Sequence, residues 1–142
     1  MKAIILIIFL MLPVKAIAPT DNKIYIIQRG IDPIEVLWSV MCEVESSSNP
    51  WEFIIDSNGR YSVGIVMIQQ SRVNDYNKLT GKDYALEDCF DPAISKEIWC
   101  YYADAIGYDP ERISREWNGG PKGMQKKATI RYWKKVQNAL LK

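Results

Sequence analysis

The stretch "DPIEVLWSVMCEVESSSNP", Asp32 to Pro50, reads as a helix that starts on a cap, buries one side, and stops on two glutamates and three serines. Asp32 offers a carboxylate to the first free backbone N–H groups. Pro33 takes the first helical position, where its missing N–H costs nothing, and Glu35 completes a capping-box-like arrangement. Ile34, Leu37, Trp38 and Met41 fall on one apolar stripe, which predicts a helix over about Pro33 to Glu45. Counting back four and seven residues from Glu45 gives Met41 and Trp38; from Glu43 it gives Ser39 and Val36, a more mixed side. Glu45 therefore extends the apolar stripe and is expected to face the interior or a cleft. Burial against aromatic and thioether groups disfavours the charged form of a carboxyl, and the partial negative charge of a helix C-terminus acts in the same direction. A carboxyl kept neutral near pH 7 can donate a proton to a leaving oxygen, the work of a general acid in glycosidic bond cleavage. The competing reading is a glutamate that caps a neighbouring segment or pairs with an arginine.

The same start signal recurs. Asp91-Pro92 and Asp109-Pro110 each open a further helix by the same physics. The Asp91 helix carries Ile94, Ile98, Tyr101, Tyr102 and Ala105 and ends at Gly107, and a short helix from Pro110 to Trp117 breaks at Gly119-Gly120-Pro121. A last helix over about Met124 to Leu141 is read with Ile130, Trp133, Val136 and Leu140 on one side. A shorter one runs from about Ser71 to Leu79, stopped by Gly81. Between Phe53 and Ile68, β-rich segments flank Asn58-Gly59 and predict a small hairpin or irregular β turn. The fold class is mainly α, an α+β domain with a small β-hairpin element.

The N-terminus has a different character. Lys2 is followed by an apolar run from Ala3 to Val14 and by small residues at Ala16 and Ala18, the pattern of a secretory signal peptide over about residues 1 to 18. A run of about a dozen residues is short of the ~20 that a spanning helix needs, so no permanent anchor is expected. The remainder, residues 19 to 142, fits one exported domain of the periplasm or cell envelope. Of 18 basic residues, removal of Lys2 and Lys15 leaves 16 against 17 acidic, a net charge of −1 that gives nucleic-acid binding no support. The charge is uneven: Lys122, Lys126, Lys127, Arg131, Lys134, Lys135 and Lys142 lie in a stretch with no acidic residue, either a solvated helix face or a surface for an anionic polymer.

There is no histidine, and Cys42, Cys89 and Cys100 lack metal-ligand spacing, so no metal or other cofactor is expected. Three cysteines in an exported chain allow one disulfide. With Asp91-Pro92 opening a helix, Cys100 lies about 13 Å along its axis from that start, beyond the ~7 Å Cα separation a Cys89–Cys100 bridge tolerates. A bridge from Cys42 to either partner, or three free thiols, stays open.

Four motifs occur in order: "ESSSNP" (Glu45 to Pro50), "SVGIVMIQ" (Ser62 to Gln69), "EWNGGP" (Glu116 to Pro121) and "TIRYWKKV" (Thr129 to Val136). Together they resemble the soluble-lytic-transglycosylase catalytic domain, which has a lysozyme-like fold, over about residues 31 to 138. The resemblance implies that Glu45 is the single catalytic acid/base and that Ser46 helps position it and the substrate. It further implies that Gly64 belongs to a cleft-lining segment, that Asn118 is a cleft residue and that Tyr132 sits near the glutamate. Tryptophan at position 117 replaces the family's usual tyrosine. Aligned from Gly64, Met67 takes the place of the family's glutamine, with Gln69 two residues later, so either the loop is shifted or a polar substrate contact has become apolar.

The implied activity is cleavage of the β-1,4 bond between N-acetylmuramic acid and N-acetylglucosamine in peptidoglycan glycan strands, leaving a 1,6-anhydro product. Two rivals follow from the same residues. One is a lysozyme-like muramidase in which Asp56 or Glu52 holds a water; the other is a weakly active glycan-binding accessory protein. Trp51, Tyr61 and Trp117 are candidates for stacking on sugar faces in either case. A lone exported domain of this size suits local opening of the wall for a secretion, conjugation or phage apparatus, an analogy of architecture.

Overall fold

A computed structural model of the protein describes Gly30, residues 32 to 57 and residues 59 to 142. The expected signal peptide and Asn58 of the expected turn lie outside the described residues. Among the described residues, no helix is long and apolar enough to cross a membrane.

Three helices begin as the Asp-Pro pairs dictate. Helix α1 spans Pro33–Ser46, α3 spans Pro92–Ile106 and α4 spans Pro110–Gly119. In each the aspartate before the proline accepts from a backbone amide of the first turn: Asp32 from Ile34, Asp91 from Ala93 and Asp109 from Arg112. Helix α2, Gln70–Thr80, ends on Gly81 in the left-handed conformation, and α5 spans Lys127–Leu140. Short 3-10 turns at Glu87–Phe90 and Gly123–Gln125 lead into α3 and α5.

The β element is one strand larger than the hairpin read from the sequence. Strands β1 (Phe53–Ile55), β2 (Tyr61–Val63) and β3 (Ile68–Gln69) form an antiparallel sheet in the order β1-β2-β3. Phe53 opposes Val63 and Val63 opposes Ile68. Two residues are too few for alternation to mark β3 in the sequence; its register comes from the turn that precedes it. The architecture is thus mainly helical α+β, with the small sheet inserted between α1 and α2.

The core gathers Leu37 and Met41 of α1, Val66 and Ile68 around β3, Val73 of α2, Ile98 and Trp99 of α3, Ile113 of α4 and Val136 of α5, each less than 3 % exposed. Helix α5 packs on α1 and α4 through Thr129, Tyr132 and Val136. That corrects the expected stripe by one position: Ile130 is 41 % exposed, because the buried line runs through Thr129. All three cysteines are free thiols, Cys42 and Cys89 buried and Cys100 half-buried.

Candidate active site

The end of α1 answers why three serines follow the glutamate. Ser46 is buried, and its hydroxyl donates to the carbonyls of Cys42, one turn back at 3.2 Å, and of Ile65, across the domain at 2.8 Å. Ser47 and Ser48 then adopt left-handed conformations, and their amides return to the carbonyls of Glu43 and Cys42. This Schellman-like closure stops the helix one residue after Glu45 and turns the chain away. Asn49 tightens the exit, its Oδ1 accepting from the Trp51 amide and its Nδ2 donating to Glu52. The last helical turn is left facing open space.

That space is a cleft of about 690 Å³, with Glu45, Met67, Gln69, Arg72, Trp117 and Asn118 in its lining. Glu45 is half-buried, and Tyr132 of α5 donates its hydroxyl to Glu45 Oε1 at 2.7 Å. Loss of hydration pushes the Glu45 carboxyl up to about 7; the Tyr132 hydrogen bond and the Lys135 charge oppose this without cancelling it. The Tyr132 hydroxyl, buried beside that carboxyl, is itself held well above the ordinary phenol range. At neutral pH the pair is poised between a protonated and an ionised carboxyl, as a group that must both give and take a proton requires.

The turn from Gly64 to Met67 forms one edge of the cleft. Gly64 has φ +77°, and a Cβ there would lie 2.1 Å from the carbonyl oxygen of Cys89. The Met67 amide closes the turn onto the Gly64 carbonyl at 3.1 Å, and Met67, with φ +55°, takes a left-handed conformation that costs a side-chain-bearing residue about 1–2 kcal/mol. Trp117 braces this turn from α4, its Nε1 donating to the Val66 carbonyl at 3.0 Å. Ser46 braces it from α1 through Ile65. Gly64 and Ser46 therefore sit beneath the cleft as positioning residues, whereas Met67, Gln69 and Asn118 line it.

Other residues fall elsewhere. Asp56 pairs with Arg60 at 2.8 Å and Glu52 accepts from Asn49, and neither lines the cleft. Trp51 stacks on Phe90 at 5.7 Å in a separate shallow groove, and Tyr61 is exposed on β2. The carboxylates that do join Glu45 in the lining are Asp75, which is exposed, and Glu116, which is paired with Arg112 at 2.9 Å.

Two arginines escaped the sequence reading. Arg115, 8 % exposed, pairs with Glu111, donates to the Thr129 hydroxyl and reaches the Met124 carbonyl, so it fastens α4 to the start of α5. Arg72 lies in the cleft wall against the rings of Tyr102 and Trp117, which meet edge-to-face. Both look like ordinary surface cations on polar helices; only the packing of distant elements shows otherwise.

No protein-family model matches the sequence, and no curated protein matches it. A chain of the crystal structure of Aeromonas hydrophila PliI in complex with Meretrix lusoria lysozyme is similar in structure. The TM-score is 0.60 and the identity 24 %, over 73 % of this chain and 88 % of that chain. At that identity the likeness is one of fold.

Proposed function

We propose that the protein is a lytic transglycosylase of the cell envelope, cleaving the N-acetylmuramyl-β-1,4-N-acetylglucosamine bond of peptidoglycan with Glu45 as its single general acid and base. The observation that carries this reading is the Glu45 carboxyl: at a helix end, desolvated to a titration point of about 7, held by one tyrosine and opening into a cleft. Glu45 gives its proton to the bridging oxygen as the glycosidic bond breaks. The developing positive charge at the anomeric carbon is met by the substrate's own 2-acetamido group, a recognised alternative to a second carboxylate. Glu45, now ionised and still bonded to Tyr132, takes the proton of the sugar's 6-hydroxyl as that oxygen attacks the anomeric carbon. The enzyme returns to its starting state, and the product is a 1,6-anhydro sugar.

Gln69 lines the cleft with Met67, and its amide is the polar group this edge offers to a sugar. One observation favours a second reading: Asp75 also lines the cleft, and a carboxylate there could hold a water and make the reaction a hydrolysis. The exported location, with a secretion, conjugation or phage apparatus as partner, belongs to the same proposal and rests on the N-terminal apolar segment. Release of soluble muropeptides from purified sacculi tests it. Wild-type protein is expected to release them and Glu45→Gln to lose at least a hundredfold in rate; equal release by both would remove Glu45 from the mechanism.

A further inference from the structure

Arg72 is held more tightly than a surface cation of α2 requires. Its guanidinium carbon stands 4.2 Å from the ring centre of Trp117 and 4.6 Å from that of Tyr102, in the corner formed by two rings that meet edge-to-face with centres 6.4 Å apart. Nη2 donates to the Trp117 carbonyl at 3.1 Å, and the Arg72 carbonyl accepts from the Tyr102 hydroxyl at 3.2 Å. Side chain and backbone are thus fixed before any ligand arrives, which lowers the entropy lost on binding.

The four cations in the cleft lining differ in what satisfies them. Arg60 pairs with Asp56 and Arg112 with Glu116, each at less than 3 Å. Lys126 is exposed and donates to the Gly119 carbonyl. Among the described residues, Arg72 alone of the four is both half-buried and without a carboxylate at ion-pair distance. Burial pulls its pKa down, and Tyr102 and then Asp75 oppose this without cancelling it. A guanidinium carries five N–H donors, of which the Trp117 carbonyl uses one. A desolvated cation with spare donors in a fixed plane gains most from a ligand that brings the missing anion. Asp75 lines the same cleft and disfavours a polyanion there more than a single carboxylate.

We infer that Arg72 is a specificity-determining residue that binds a carboxylate of the glycan substrate in the cleft. The inference rests on the peptidoglycan reading above. That polymer has two sources of the group, the lactyl carboxylate of a bare muramic acid and the carboxylates of an attached stem peptide. Chitin oligosaccharides share the sugar backbone and have neither.

The test is a set of binding isotherms on Glu45→Gln protein, which removes turnover, with and without Arg72→Gln or Arg72→Lys. Three ligands are compared: chitin oligosaccharides, peptide-free peptidoglycan glycan fragments and stem-peptide-bearing muropeptides. Arg72→Gln is expected to weaken binding of at least one carboxylate-bearing ligand about tenfold or more while leaving the chitin oligosaccharides unchanged. Whether the peptide-free or the peptide-bearing ligand responds identifies the source of the carboxylate. Arg72→Lys keeps the charge without the planar fork and is expected to fall between the two. If Arg72→Gln does not fold, the salt dependence of the Glu45→Gln protein carries the test. Affinity for the carboxylate-bearing ligand should fall with added salt, and affinity for chitin oligosaccharides should not. Equal loss on all three ligands, or equal salt dependence, would make Arg72 a structural clamp and overturn the inference while leaving the glycan reading in place. No binding to any glycan would overturn both.

Discussion

Glu45 carries a pH signature whose sign is fixed by its environment. A general acid must be protonated, and burial holds this carboxyl protonated up to about pH 7, so kcat/KM is expected to fall as pH rises through 7. A pH–rate profile flat from 5 to 9 would show that the acid is another group. Stability follows by linkage. Between the ordinary carboxyl range and 7 the folded state holds a proton that the unfolded state has released, so stability declines as pH rises through that window. Glu45→Gln lifts the penalty and is expected to stabilise the protein above pH 8, by on the order of 3 kcal/mol, measurable by denaturant unfolding at pH 5 and 8.5. Tyr132→Phe deletes the one hydrogen bond that, among the described residues, favours the ionised form. The alkaline limb should move upward, and kcat should drop roughly five- to tenfold, equivalent to about 1 kcal/mol of lost positioning.

The elements of this protein divide by how local their causes are. The three capped helices were legible because an aspartate before a proline acts within one turn, and Asp91→Ala is expected to cost about 1 kcal/mol in thermal or chemical unfolding. The Gly64–Met67 turn and strand β3 were not legible, because what shapes them is distant: Cys89 against Gly64, Ser46 on Ile65, Trp117 on Val66. Gly64→Ala meets both a backbone oxygen and a left-handed conformation, and a loss of more than 2 kcal/mol is expected, with the cleft edge displaced. Ser46→Ala leaves the Ile65 carbonyl without this donor and should cost about 1–3 kcal/mol while leaving the Glu45 titration in place. That split between stability and pH profile separates a positioning serine from one that touches the substrate. The phase of α5 was misjudged for a related reason: Ile130 is the more apolar residue, but Thr129 is buried because its hydroxyl is used, by Arg115 and the Gly123 carbonyl.

Across the whole molecule the sequence patterns placed Glu45 correctly at a helix end on the apolar stripe, and the structure brings Tyr132, 87 positions away, to its carboxyl. They could not place Arg72, whose meaning lies in two aromatic rings from α3 and α4. They also left open which carboxylates share the cleft, and here Asp75 and Glu116 take the place expected for Asp56 or Glu52. The basic residues from Lys122 to Lys142 are all exposed. The product distinguishes a transglycosylase from a hydrolase. Mass spectrometry of muropeptides released from peptidoglycan by the wild-type protein tests the mechanism most directly. Anhydro-muropeptides, absent with Glu45→Gln, are the predicted result; products one water heavier would contradict the transglycosylase mechanism and make the enzyme a hydrolase.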